Sequence, residues 1–166
     1  MEYISTRGGM TPQPFTEILL GGLAPDGGLT LPAVYPVVSP EELAQWRHCS
    51  YSELAYQIAQ RFATDIPNAD LRSIIDKTYT AKIFGSDEIT PVKNLGDDFW
   101  LLGLSNGPTL AFKDIALQLL GQLFEYVLVH RGQYLNILGA TSGDTGSSAE
   151  YACLLYTSDA ADDTPC

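Results

Sequence analysis

The sequence predicts an α/β protein with a mostly helical N-terminal lobe, and three observations carry that prediction. Two capping boxes, Ser39-Pro40-Glu41-Glu42 and Ser50-Tyr51-Ser52-Glu53, open short amphipathic helices in the first half of the chain. The texture changes after Pro91, where Phe99-Trp100-Leu101-Leu102-Gly103-Leu104 forms a near-continuous apolar run of strand length. A long apolar-periodic stretch, Ile115 to Val129, then separates that run from a second strand-like segment, Tyr134 to Leu138. Strand, crossover helix and strand at these lengths predict a parallel βαβ unit, which belongs in a sheet covered on both faces. The sheet has too few strands to be finished within 166 residues.

Taken in order, residues 1 to 31 are rich in Gly and Pro, and Pro25-Asp26-Gly27-Gly28 is a strong turn, so short strands and turns are expected there. Pro40 at the first helical position starts a short helix running toward Arg47. Leu54, Ile58 and Phe62, beside Ala55 and Ala59, predict a helix from Tyr51 to Ala63. Asn68 can cap a third helix with Leu71, Ile74 and Ile75 on its apolar face. Leu119, Leu120, Leu123, Phe124 and Val127 read as core packing of the crossover helix. The division expected is a lobe at 1–90, the start of an α/β domain at 91–152, and an unrelated tail at 153–166. That tail, small, polar and acidic where a helix should continue, resembles translated sequencing-adapter read-through.

Composition narrows the function. Nine basic against 20 acidic side chains give a net charge of −11, which repels nucleic-acid phosphates and anionic lipid surfaces and favours a small-molecule partner. The N-terminus carries no basic, apolar secretory signal and no window has the length of a membrane span, so a cytoplasmic protein is expected. Cys49, Cys153 and Cys166 have no metal-ligand spacing and suit reduced thiols. His48 and His130 are lone residues at helix ends and receive no role.

Two motifs can carry chemistry. Gly139-Ala140-Thr141-Ser142-Gly143-Asp144-Thr145-Gly146 joins the second strand to a helix, where unpaired amides suit a carboxylate or phosphate. It is neither a P-loop nor a dinucleotide fingerprint, and a tight turn with Ser and Thr capping the helix explains it equally. Lys113 stands at a helix start among apolar residues, a placement that favours the neutral amine used in Schiff-base chemistry. A solvated lysine beside Asp114 is the other reading of the same residues.

In this order and separation, Ser105-Asn106-Gly107-Pro108-Thr109-Leu110-Ala111-Phe112-Lys113-Asp114 and the 139–146 loop resemble the threonine synthase family of bacterial and fungal type. Tyr3-Ile4-Ser5-Thr6-Arg7-Gly8 and Gly22-Leu23-Ala24-Pro25-Asp26-Gly27-Gly28-Leu29 are similar to that family's N-terminal signature. Asn106 stands where many members carry His, and the tail departs from the family. The resemblance implies a truncated pyridoxal-phosphate (PLP) enzyme of fold type II, the tryptophan-synthase-β-like architecture, converting O-phospho-L-homoserine and water to L-threonine and phosphate. It further implies that Lys113 holds the cofactor and moves protons, that Asp144 faces the cofactor, and that Thr141, Ser142, Gly143 and Thr145 grip the substrate carboxylate. The family's phosphate-binding loop and pyridine-nitrogen partner lie beyond this chain, so the chain alone is expected to be inactive. The alternatives are another fold-type II amino-acid lyase, such as a dehydratase, and a non-catalytic anion-binding module.

Overall fold

The structure, a computed structural model, describes residues 1–154 of the chain. It divides into two compact units, Met1–Asp76 and Lys77 onward.

In the first unit, β1 (Tyr3–Ser5) is followed by α1 (Phe15–Gly21) and β2 (Thr30–Pro32), and β1 pairs antiparallel with β2, Ile4 opposite Leu31. Asp26, in the predicted turn, ties the pair together. Its Oδ1 accepts from the Ser5 hydroxyl at 2.7 Å and the Gly28 amide at 2.9 Å, and its Oδ2 accepts from Gly9 N at 2.7 Å. Both capping boxes form as the sequence predicts, opening α2 (Pro40–Trp46) and α3 (Tyr51–Phe62). The third helix, α4 (Asn68–Thr78), buries Leu71, Ile74 and Ile75 as expected, and Tyr3, Ala63 and Ile66 are also buried in this unit.

Helix α1 has no counterpart in the sequence reading. Its N-cap, Pro14, offers no side-chain acceptor, and the first amides are taken instead by Asp65, from Phe15 N at 3.2 Å and Thr16 N at 2.9 Å. A cap supplied from fifty residues away leaves no local signature.

The second unit begins with the short helix α5 (Ala81–Phe84), capped by Thr80 and closed by left-handed Gly85. A hairpin follows, β3 (Val92–Gly96) and β4 (Phe99–Leu102), then α6 (Asp114–Arg131) and α7 (Asp144–Leu154). Helices α6 and α7 stand where the sequence predicts them, while α5 has no counterpart in the sequence reading. The strands do not form the expected βαβ unit. β4 pairs antiparallel with β3, Asn94 opposite Trp100, through a turn in which Asp97 and Asp98 both take positive φ, of 46° and 63°. Residues 133–143 contain no strand. A parallel strand needs hydrogen-bonding neighbours and cover on both faces, and among the described residues nothing supplies them: Tyr134 and Leu138 are fully exposed.

Helix α6 buries part of the leucine-rich face expected, and a second, polar face as well. Leu123 and Val127 are buried, but Leu119, Leu120 and Phe124 are half-buried. The second face carries Asp114, Gln118, Gly121 and Gln122, and from it Asp114, Gln118 and Gly121 meet α7, the main packing partner of α6. Contact is close because the facing residues are small: a Cβ on Gly121 would lie 2.8 Å from the Ala152 carbonyl oxygen. No helix among the described residues is long and apolar enough to cross a membrane. The tail assigned above to read-through lies outside the described residues from residue 155 on.

Candidate functional site

Lys113 is the N-cap residue of α6, and its carbonyl accepts the first helical hydrogen bonds, from Ala116 N at 3.1 Å and Leu117 N at 2.9 Å. The loop before it turns sharply, with Gly107 at φ 137° and Leu110 at φ 60°. A left-handed leucine is a strained conformation that persists only when its surroundings hold it, here with Leu110 N bonded to Gly107 O at 3.3 Å.

Helix α7 begins at Asp144. Thr141 turns its hydroxyl back into the loop, where Oγ1 accepts from Gly143 N and Gly146 N, both at 3.1 Å. Gly146 has no alternative at this approach, since a Cβ would lie 2.8 Å from that oxygen. Asp144 Oδ1 accepts from Thr145 N at 2.9 Å, and the carboxylate sits at the positive end of α7.

The two helix starts meet through Lys113, whose Nζ donates to Asp144 Oδ1 at 3.3 Å and to the Thr145 hydroxyl. The backbone amide of Thr145, then the Lys113 hydrogen bond and its positive charge, hold the Asp144 carboxyl below the usual carboxylate range. Of the sequence-predicted residues, Lys113, Asp144 and Thr145 are therefore brought together, Thr141 shapes the loop, and Ser142 and Gly143 are exposed beside them. The apolar enclosure expected around Lys113 is not found. Leu110 is 74% and Phe112 58% exposed, and the lysine itself is about 30% exposed. Nor does Asp114 pair with it. That side chain points the other way and is fully buried.

Asp114 is the residue that sequence reasoning missed. Its Oδ1 accepts from the Thr109 hydroxyl at 2.7 Å and the Ser148 hydroxyl at 2.5 Å, and its Oδ2 accepts from Thr109 N at 2.8 Å. The signal was present: Asp114, Gln118 and Gln122 recur every four residues in a helix that carries no other charged or amide side chain before Glu125. Asn106 joins the same loop to the segment before the hairpin, donating to Glu88 O at 2.7 Å. A separate apolar groove of about 600 Å³, lined by Phe124, Leu128, Leu135, Ile137 and Cys153, lies toward the other end of α6 and does not include Lys113. Among the described residues no cluster of His, Cys, Asp and Glu could hold a metal ion.

Residues 2–79 match the family model described as the threonine synthase N terminus. Over 159 residues the chain is 58% identical to the threonine synthase of Methylobacillus glycogenes, a match covering 92% of this chain and 34% of that protein. The chain belongs to the threonine synthase family. It spans about a third of the length of the curated relatives it matches. The solved structure of PLP-bound threonine synthase from Brucella melitensis superimposes with a TM-score of 0.88 at 42% identity, over 92% of this chain and 33% of that one. The yeast threonine synthase gives a TM-score of 0.82 at 40% identity, over the same shares. These neighbours bear out the fold-type II reading: the chain has the helix-rich α/β architecture of one third of a PLP-dependent threonine synthase.

Proposed function

We propose that this chain supplies the cofactor-binding lysine and the substrate-carboxylate loop of a cytoplasmic threonine synthase, whose substrates are O-phospho-L-homoserine and water and whose products are L-threonine and phosphate. The observation that carries the reading is the meeting of Lys113 with Asp144 and Thr145 at the start of α7. The residues present fit an aldehyde cofactor, because an amine on a helix start is held in one place beside hydroxyl donors. Lys113 would hold the carbonyl carbon of PLP through Nζ. Bound PLP supplies an electron sink that stabilises negative charge on the substrate's carbons. When substrate takes its place, the Lys113 amine would remove protons from Cα and Cβ so that phosphate leaves from Cγ. It would return protons at Cγ, which becomes the methyl carbon, and at Cα, while water supplies the hydroxyl at Cβ.

Thr141, Ser142, Gly143 and Thr145 would bind the substrate carboxylate through amides and hydroxyls at the positive end of α7. For that, the Thr145 hydroxyl exchanges Lys113 for the substrate. Asp144, held anionic, suits the lysine better than an anionic cofactor oxygen, so its proposed part is to hold the uncombined Lys113. The functional division is proposed at 1–90 for the N-terminal lobe and 91–152 for the start of the cofactor domain. The chain alone is proposed to be inactive.

Borohydride reduction after incubation with PLP tests the reading, with mass spectrometry locating the label. Lys113 should be labelled in preference to Lys77, Lys82 and Lys93 in a protein extended to the relatives' length, which should also release phosphate from O-phospho-L-homoserine and lose that activity in Lys113→Ala. Uniform labelling of the four lysines in the extended protein would defeat it.

A further inference from the structure

We infer that Asp114 is a positioning residue for Lys113: it locks α7 to the start of α6 so that the amine lies against Asp144 and Thr145. A carboxylate with 0% exposure is costly to bury, and an apolar side chain would fill the same space with less penalty. What the carboxylate does in return is hold two elements at once. It takes both polar groups of Thr109 in the loop and the hydroxyl of fully buried Ser148 on α7, and the two hydroxyls lie 2.9 Å apart over the same oxygen. The loop is shaped around it, since a Cβ on Gly107 would lie 2.5 Å from Asp114 Oδ2.

The geometry couples this lock to the amine next door. Lys113 and Asp114 are consecutive, while Thr145 and Ser148 are three residues apart and share one face of α7. Lys113 therefore reaches Thr145, and Asp114 reaches Ser148, from one point on α6 to one face of α7. Rotation of α7 about its axis would break both contacts together. A lysine side chain is long and flexible, and a single exposed ion pair does not order it; the second attachment, one residue along, fixes where its partners stand.

The inference rests on the proposed function only for its purpose; the hold on the amine is testable without cofactor. Trace acetylation of the whole chain with acetic anhydride, read by mass spectrometry, gives the reactivity of Lys113 relative to Lys77, Lys82 and Lys93. In Asp114→Asn and in Ser148→Ala the relative reactivity of Lys113 should rise about tenfold, the scale of one lost hydrogen bond to a charged group, with the other three lysines and the far-UV circular dichroism unchanged. An unchanged Lys113 in folded variants would overturn the inference. So would a change shared by all four lysines, which would make Asp114 a stability residue with no particular hold on the amine. Failure of PLP to label Lys113 in the extended protein would instead sink the proposed function and leave the acetylation result standing.

Discussion

The strand pairs β1–β2 and β3–β4 are both two-stranded and antiparallel, yet they end in opposite environments. In β1 the residues alternate, with Tyr3 and Ser5 buried and Ile4 exposed, and the Asp26 carboxylate binds the pair to its turn. Every residue of β3 and β4 is exposed, including Phe99 at 70% and Trp100 at 62%. Backbone pairing is the same in kind. The difference is a second layer: the first unit supplies one from its own helices, and among the described residues the hairpin has none. Hydrogen bonds close a hairpin, whereas apolar burial is what makes it contribute to stability.

The comparison breaks if pairing rather than burial carries the stability. Leu71→Ala, at a residue only 1% exposed, should cost about 3 kcal/mol, while Phe99→Ala in the hairpin should stay within about 0.5 kcal/mol. Urea unfolding followed by circular dichroism measures both, and similar losses would contradict the contrast drawn here.

A smaller effect separates α2, which has a local cap, from α1, whose cap comes from a distant residue. Asp65→Ala should loosen α1 by about 1 kcal/mol, seen as faster hydrogen exchange at Phe15–Gly21. The amides of α2, held by its own Ser39 and Glu42, should exchange as before. Equal changes in both helices would show that α1 is held by something other than this cap.

The smallest effect compares one carboxylate in each unit. Asp26 is held below the ordinary value of 3.8 chiefly by the Ser5 hydroxyl, and Asp144 chiefly by the Thr145 amide with Lys113 next. A carboxyl depressed on folding stabilises the fold fully above its ordinary value, and the contribution is lost as pH falls through the folded one. Both contributions should therefore fade below pH 3.8. In Lys113→Ala, carbon-13 NMR titration should find the Asp144 midpoint raised but still low, because the Thr145 amide remains, and the Asp26 midpoint unmoved. An Asp144 midpoint indifferent to that substitution would mean that the two side chains are not paired in solution.

Much of the fold was legible because its signals are short-range. Ser39 and Ser50 each bond a backbone amide three residues on, so α2 and α3 begin where four-residue patterns place them. Lys113 and the loop containing Asp144 and Thr145 stand in the sequence as separate motifs, and only the resemblance to threonine synthases implies that they share one site. What was misread depended on distant partners. The apolar run at Phe99–Leu102 has strand character from either neighbour, and the run itself does not say whether that neighbour is parallel or antiparallel. The only local hint lay in Asp97 and Asp98, residues that tolerate the positive φ of a tight hairpin turn.

Residue types at close spacing were enough to place α2 and α3 with their starting caps, the cores of α4 and α6, and Lys113 as a candidate amine, because each of these needs only groups within a turn or two of chain. Contacts that close over long loops settled the rest. Asp65 caps a helix fifty positions before it, and Asp114 turns from the neighbouring lysine toward a serine 34 positions later. Such pairings depend on which surfaces the packed helices bring together, and a carboxylate in sequence looks the same whether it will face water, an amide or a buried hydroxyl.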